Sequence, residues 1–192
     1  MDGEPGTKPQ LVFHGTIDID KSLHEFGKYP DCYRKAARHM AALIHFNVTN
    51  IDKFEVIVIE EINLGRNRYT QKLLENIHTA MLDQIESFWP HAKVVYLDSS
   101  EWRHNLGLKM TKEQKKLNAK LSKAKKLAAQ TNIKLDKKKL GIKGKVNAKH
   151  LAVAHANTIF GLQLKMKQND AADAICIGLA FFNGATPCDG VQ

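Results

Sequence analysis

Cysteine is scarce in this chain. Cys32, Cys176 and Cys188 are odd in number and far apart, which excludes a disulfide framework and lacks the spacing of a zinc site. That scarcity fits a reducing compartment, so a cytoplasmic location is expected. No apolar run approaches the ~18 residues that a membrane-spanning helix needs. The opening MDGEPGTKPQ is polar and proline-bearing, unlike a signal peptide. A nucleophile elbow, a phosphate-cradling glycine loop and a dinucleotide fingerprint are all missing. No small-molecule substrate and no membrane partner are therefore expected.

Acidic residues are nearly absent from one segment. Between Lys109 and Lys149 fifteen lysines face only Glu113 and Asp136, while the remaining sequence carries fourteen basic and eighteen acidic residues. The formal charge of +9 thus comes from a basic insert, 109–149, in an otherwise mildly acidic chain. A solvated lysine-rich helix would explain the bias, and so would an arm that binds polyanions by releasing counterions from phosphates. The segment is poor in large aromatic anchors, which counts against a membrane surface. At 192 residues with 43% hydrophobic content, the chain is expected to form a single domain over 1–192 around one sizeable core.

Hydrophobic periodicity gives an alternating order of elements. Pro9–Ile19 is expected as a strand, and Asp31–Phe46 as a helix entered after Pro30. Lys53–Leu64 contains the β-branched run Val56–Ile59, apolar on both faces, as in a central strand. Thr70–Phe88 carries a helical stripe of Leu73, Leu74, Ile77, Met81 and Ile85 that ends at Trp89-Pro90. Ala92–Ser100 is a second short strand. Helical sequence follows over Thr111–Gln130, Asn147–Gly161 and from Gln168 onward. This order predicts an α/β fold with a parallel central sheet.

Two acidic features stand out against that frame. VIVIEEI sets Glu60 and Glu61 at the end of an apolar strand, one towards each face of the sheet. QNDAADAICIGLAFF sets Asp170 and Asp173 one turn apart on a helix, among alanines that permit close approach. The two aspartates have a plain explanation as a cap and a dipole partner. Together with a strand-end glutamate they would also make an all-oxygen site for Mg²⁺ or Mn²⁺, suited to phosphodiester hydrolysis.

VIVIEEINLGRN, some 110 residues before DAADAICIGLA, resembles the RuvC family of Holliday junction resolvases within the RNase H-like superfamily; SSEWRHNLGLK is similar to the segment after the next strand in phage and viral members. The likeness runs over roughly residues 10–184, apart from the lysine-rich part. It implies an RNase H-like mixed central sheet flanked by helices, and a homodimeric, Mg²⁺-dependent endonuclease that nicks four-way DNA junctions, from a phage or mobile element. Glu60, Asp170 and Asp173 match the family's metal-binding carboxylates; Glu61 falls where the family has an uncharged polar residue. Arg66, Arg68, Lys112, Lys115, Lys116, Lys120, Lys123, Lys137, Lys138, Lys143 and Lys145 are the candidate DNA contacts. Arg66 and Arg68 fit a solvated loop equally well, and Tyr69 is expected to pack rather than stack on a base. Trp102, His150 and His155 are expected in packing roles.

The family's opening strand, with its first catalytic aspartate, has no clear counterpart. LVFHGTI itself resembles the third strand of the family. GTIDIDKSL offers Asp20 or Asp18 as a fourth ligand, with Asp2 a weaker candidate. The expectation is a shortened chain. If no fourth ligand exists, the alternative function is a non-catalytic junction-binding relic.

Overall fold

The structure is a computed structural model. It describes residues 9–12, 14–16, 31, 34, 35, 37–39, 41, 42, 54–62, 68–131 and 145–187. Its elements are β1 (Val56–Glu60), α1 (Arg68–Phe88), β2 (Lys93–Leu97), α2 (Ser99–Asn105), α3 (Lys112–Thr131), α4 (Ala148–Phe160), a 3₁₀ turn (Met166–Gln168) and α5 (Asn169–Phe182). The described positions between 31 and 42 are helical.

The fold is α/β, mostly helical, and the described sheet has two parallel strands. Val56 stands opposite Lys93 and Glu60 opposite Leu97. Parallel neighbours need a crossover, which α1 supplies. The ladder runs on past both ends, with Lys93 N donating to Glu55 O (2.9 Å) and Glu61 N to Leu97 O (2.9 Å).

The apolar run of β1 packs on both faces, but among the described residues β1 has one ladder neighbour, β2, and all five of its residues are half-buried, so it is not the central, buried strand expected. Ile57 and Ile59 pack with Ile85 and Trp89 on the α1 side. Val58 packs with the larger core, where Leu97, Trp102, Ala152, Ala156, Ala172 and Cys176 are fully buried. Small residues at Ala152, Ala156, Ala172 and Ala180 let α4 and α5 approach closely, and among the described residues this pair forms the most extensive helix–helix interface. Gly161, at φ 65°, ends α4. Asn157 then ties the connection, its Nδ2 donating to Leu164 O (3.1 Å) and its Oδ1 accepting from Leu164 N (2.8 Å).

Two expectations change. Positions 9–12 and 14–16 are not in a strand. A strand exists only with a ladder partner, and none pairs with these positions among the described residues; Leu11 packs on the core instead. Leu74, on the expected stripe, is 44% exposed. At 21 residues α1 is roughly 32 Å long, whereas five-residue strands span roughly 17 Å, so the helix outruns the sheet it covers. Among the described residues no helix is long and apolar enough to cross a membrane.

Close α4–α5 packing makes Ala156 a sensitive position. Ala156→Leu should lower stability by about 1–3 kcal/mol through overpacking, read as a fall in the urea midpoint at unchanged slope.

Candidate active site

The site grows from the carboxyl ends of β1 and β2. Asp98 follows β2 in extended backbone (φ −64°, ψ 144°), and its Oδ1 accepts from Ser100 N (2.6 Å) and from the Ser100 hydroxyl. Those hydrogen bonds hold its carboxyl below the ordinary carboxylate range. This cap starts α2 directly at the strand end, so its next turn carries Trp102 and Arg103 back towards β1.

Strand alternation decides between the two glutamates. Glu61 lies beside Tyr96, whose hydroxyl is pushed up by burial and then by the Glu61 charge; Tyr96 also meets His78 of α1 edge-on at 5.3 Å. Glu60 faces the opposite side, towards α2 and α5. Its Oε1 accepts from Trp102 Nε1 (3.2 Å) and lies 3.7 Å from Arg103 Nη2. The same Nη2 is 4.0 Å from Asp173 Oδ2. Arg103 thus bridges a strand carboxylate and a helix carboxylate. It is itself held by Ser99 O (Nη1 donating, 3.0 Å) and by the Trp102 ring, 4.2 Å from its guanidinium carbon.

Asp173 is the buried member, with 13% of its side chain exposed, and its Oδ1 is buried with no hydrogen-bond donor. Burial pushes its carboxyl up from the ordinary value. Arg103 opposes that shift, Glu60 adds to it, and the weaker charges of Lys149 and Asp170 oppose and add respectively. Asp170 is the exposed member (77%), paired with Lys149 Nζ at 3.3 Å and with the Asn169 side chain. It does not cap α5, which opens at Gln168 without a side-chain cap. One turn beyond Asp173, Cys176 is fully buried, its thiol pushed up to about 12 by burial and then by the Asp173 charge, which makes it inert.

No family model matches the chain, and no curated protein or solved structure matches it.

The three carboxylates singled out by sequence therefore share one electrostatic neighbourhood. Their oxygens are the hard donors that Mg²⁺ or Mn²⁺ takes, and the donorless Oδ1 of Asp173 has coordination capacity to spare. Among the described residues, no three His, Cys, Asp or Glu side chains converge closely enough to hold an ion. A cavity of about 440 Å³ beside β1 is lined by Ala37, Phe54, Met81 and Trp89 but by none of the three carboxylates.

The basic candidates divide. Lys112, Lys115, Lys116, Lys120 and Lys123 are all exposed on α3. At 100° per residue these five and Lys126 fall on an arc of roughly 140°, opposite the buried Leu121. Asn118 pins this helix to the start of α4, donating to Val146 O (2.6 Å) and accepting from Val146 N (3.1 Å). Lys145 is exposed in the same connection. Arg68 opens α1. Arg66, Lys137, Lys138 and Lys143 lie outside the described residues, as do Asp2, Asp18 and Asp20. Sequence reasoning missed Arg103 and the bond from Trp102 to Glu60; the signal was the pair Trp102-Arg103 one turn into a helix capped at a strand end. His150 is the partner of the Asn147 capping box, its Nδ1 accepting from Asn147 N (3.3 Å).

Asp173 binds its proton more readily in the fold than in an unfolded chain, where the carboxyl titrates at 3.8. That contribution to stability is complete below about pH 3.8 and is lost as pH rises through the higher folded value. Asp173→Asn, which cannot ionise, should melt higher than wild type near pH 7 in a chelating buffer. The difference should shrink as pH falls below about 4, as thermal unfolding across a pH series would read.

Proposed function

We propose that this chain is an RNase H-like protein of RuvC type that cleaves four-way or branched DNA, as a homodimer using Mg²⁺ or Mn²⁺. The observation that carries the reading is Arg103 standing between Glu60 at the end of β1 and Asp173 of α5, with Asp170 one turn earlier on the same helix and one oxygen of Asp173 buried and undonated. Ligand sites of α/β folds lie at the carboxyl ends of parallel strands.

In this reading each residue has a physical task. Trp102 fixes the Glu60 carboxylate through Oε1. Asp173 offers an oxygen in a low-dielectric setting, where electrostatic attraction is strong. Asp170, more exposed, lies beside Lys149, whose ammonium suits a phosphate oxygen. The three carboxylates would have to close on a divalent ion, since they do not converge on one position as they stand. That ion would supply an activated water and neutralise charge at the leaving oxygen. The α3 lysines contact phosphates along the DNA arms without reading sequence.

One observation favours a second reading, a junction-binding protein that does not cut: Arg103 fills the space between Glu60 and Asp173 with a fixed charge. A labelled four-way junction, scored for binding and nicking in the same samples with and without Mg²⁺, separates the two. Asp170→Asn should abolish nicking while junction affinity stays within a few-fold, because phosphate contacts supply most affinity. Nicks that persist in the variant would sink the metal assignment, and tight binding without nicks in the wild type would select the second reading.

Replacing Lys116, Lys120 and Lys123 together by Gln should weaken all DNA binding. The slope of log affinity against log salt should become shallower by about one for each phosphate that is no longer neutralised. An unchanged slope would remove α3 from the interface.

A further inference from the structure

We propose that the cavity beside β1 is a binding site for a neutral, mainly apolar small molecule that carries a carbonyl-type hydrogen-bond acceptor. This goes beyond the nuclease reading and does not depend on it.

The cavity has a volume of about 440 Å³, inside the range of roughly 300–1,000 Å³ usual for small-molecule pockets. Ile57 leaves β1 towards α1 and Val58 towards the larger core, and both line it. The cavity therefore reaches round the edge of β1 that β2 does not occupy. Ala37 and Ala41 from the helical positions between 31 and 42, with Ala174 of α5, form further walls, so part of its room comes from side chains that stop at Cβ. A leucine at any of the three would fill some of it, and protein interiors leave few voids larger than a water molecule.

The walls define the chemistry of the guest. Among the described residues none of them is ionisable, and a charged guest would lose its hydration without gaining a partner. Phe54, Met81 and Trp89 supply aromatic and thioether surface, and the unbranched Met81 adapts to the shape of what it meets. One polar group is left over. Trp89 is 6% exposed, and its Nε1 is buried with no hydrogen-bond partner among the described residues. The indole is held in place: its ring meets Phe54 edge-on at 5.4 Å, and its backbone N donates to Ile85 O (2.7 Å). Buried donors in native folds are nearly always paired. An indole N–H only donates, so its missing partner is an acceptor. Gln84 adds a second polar side chain to the wall, with an amide that donates or accepts. An uncharged molecule with an apolar body and one carbonyl meets all of these demands together.

Prodan, an uncharged dimethylaminonaphthalene that bears a propionyl ketone, is the probe. Titrated into the full chain, it should bind saturably, with its emission shifted to the blue of its value in water. Ala174→Leu extends a side chain into the cavity from an exposed position of α5, and should weaken binding on the order of tenfold or more by occupying the space. Trp89→Phe keeps an aromatic ring and removes the N–H, and should weaken binding by about three- to tenfold, the net worth of one hydrogen bond. Where that variant does not fold, the ketone stretch of prodan bound to the wild type reads the same contact, because a hydrogen bond lowers its frequency. Absence of saturable binding to the wild type overturns the proposal, and so does wild-type affinity in either variant when folded. A bound ketone stretch at its hydrocarbon value overturns it as well.

Discussion

Successive side chains of a strand leave on opposite faces, so only one of the two glutamates ending β1 can reach the side where α2 and α5 pack. Glu60 is that residue, and its Oε1 meets both Trp102 and Arg103. This meeting joins a strand end, a short helix and, through Arg103, the first turns of α5. Shift the register of β1 by one residue and Glu61 would replace Glu60 on that side, while the packing of Ile57, Val58 and Ile59 would invert. The apolar run that builds the core thus also aims the carboxylate.

Much of this was legible in the sequence because it follows from periodicity. The β-branched run marked β1, the stripe to Ile85 marked α1, and the break at Trp89-Pro90 marked its end within a residue. Alanines around Asp170 and Asp173 announced a closely packed helix, and α4 and α5 do meet there through Ala152, Ala156, Ala172 and Ala180. What periodicity cannot supply is a partner from another element. Arg103 looks like any surface arginine until a cap at Asp98 and a seven-residue helix turn it onto Glu60. The strand expected over Pro9–Ile19 failed at positions 9–12 and 14–16 for a related reason: apolar alternation states a preference, but only a neighbouring ladder makes a strand.

Charge is segregated in this molecule by structure as well as by sequence. Six lysines of α3 share one exposed face, and the helix reaches the rest of the chain at Asn118 and Val146, just ahead of α4. The next turn of that path carries Lys149, which pairs with Asp170. A continuous stretch of chain therefore links the basic helix to the acidic site.

Asp173 is half-buried, and its placement costs desolvation. Desolvation is the largest influence on its carboxyl, and Arg103 offsets it without a hydrogen bond. An asparagine at 173 would fit the same space without a charge to desolvate, and a leucine would add to the apolar packing around Ala172 and Cys176. The remainder of that face shows no such tension: Ile175, Ile177 and Leu179 are buried and apolar, and Asp170 sits in water. Asp173 is thus a charge kept half-compensated at one point of a well-packed helix, beside a strand-end glutamate and a guanidinium that Ser99 O and the Trp102 ring hold in place.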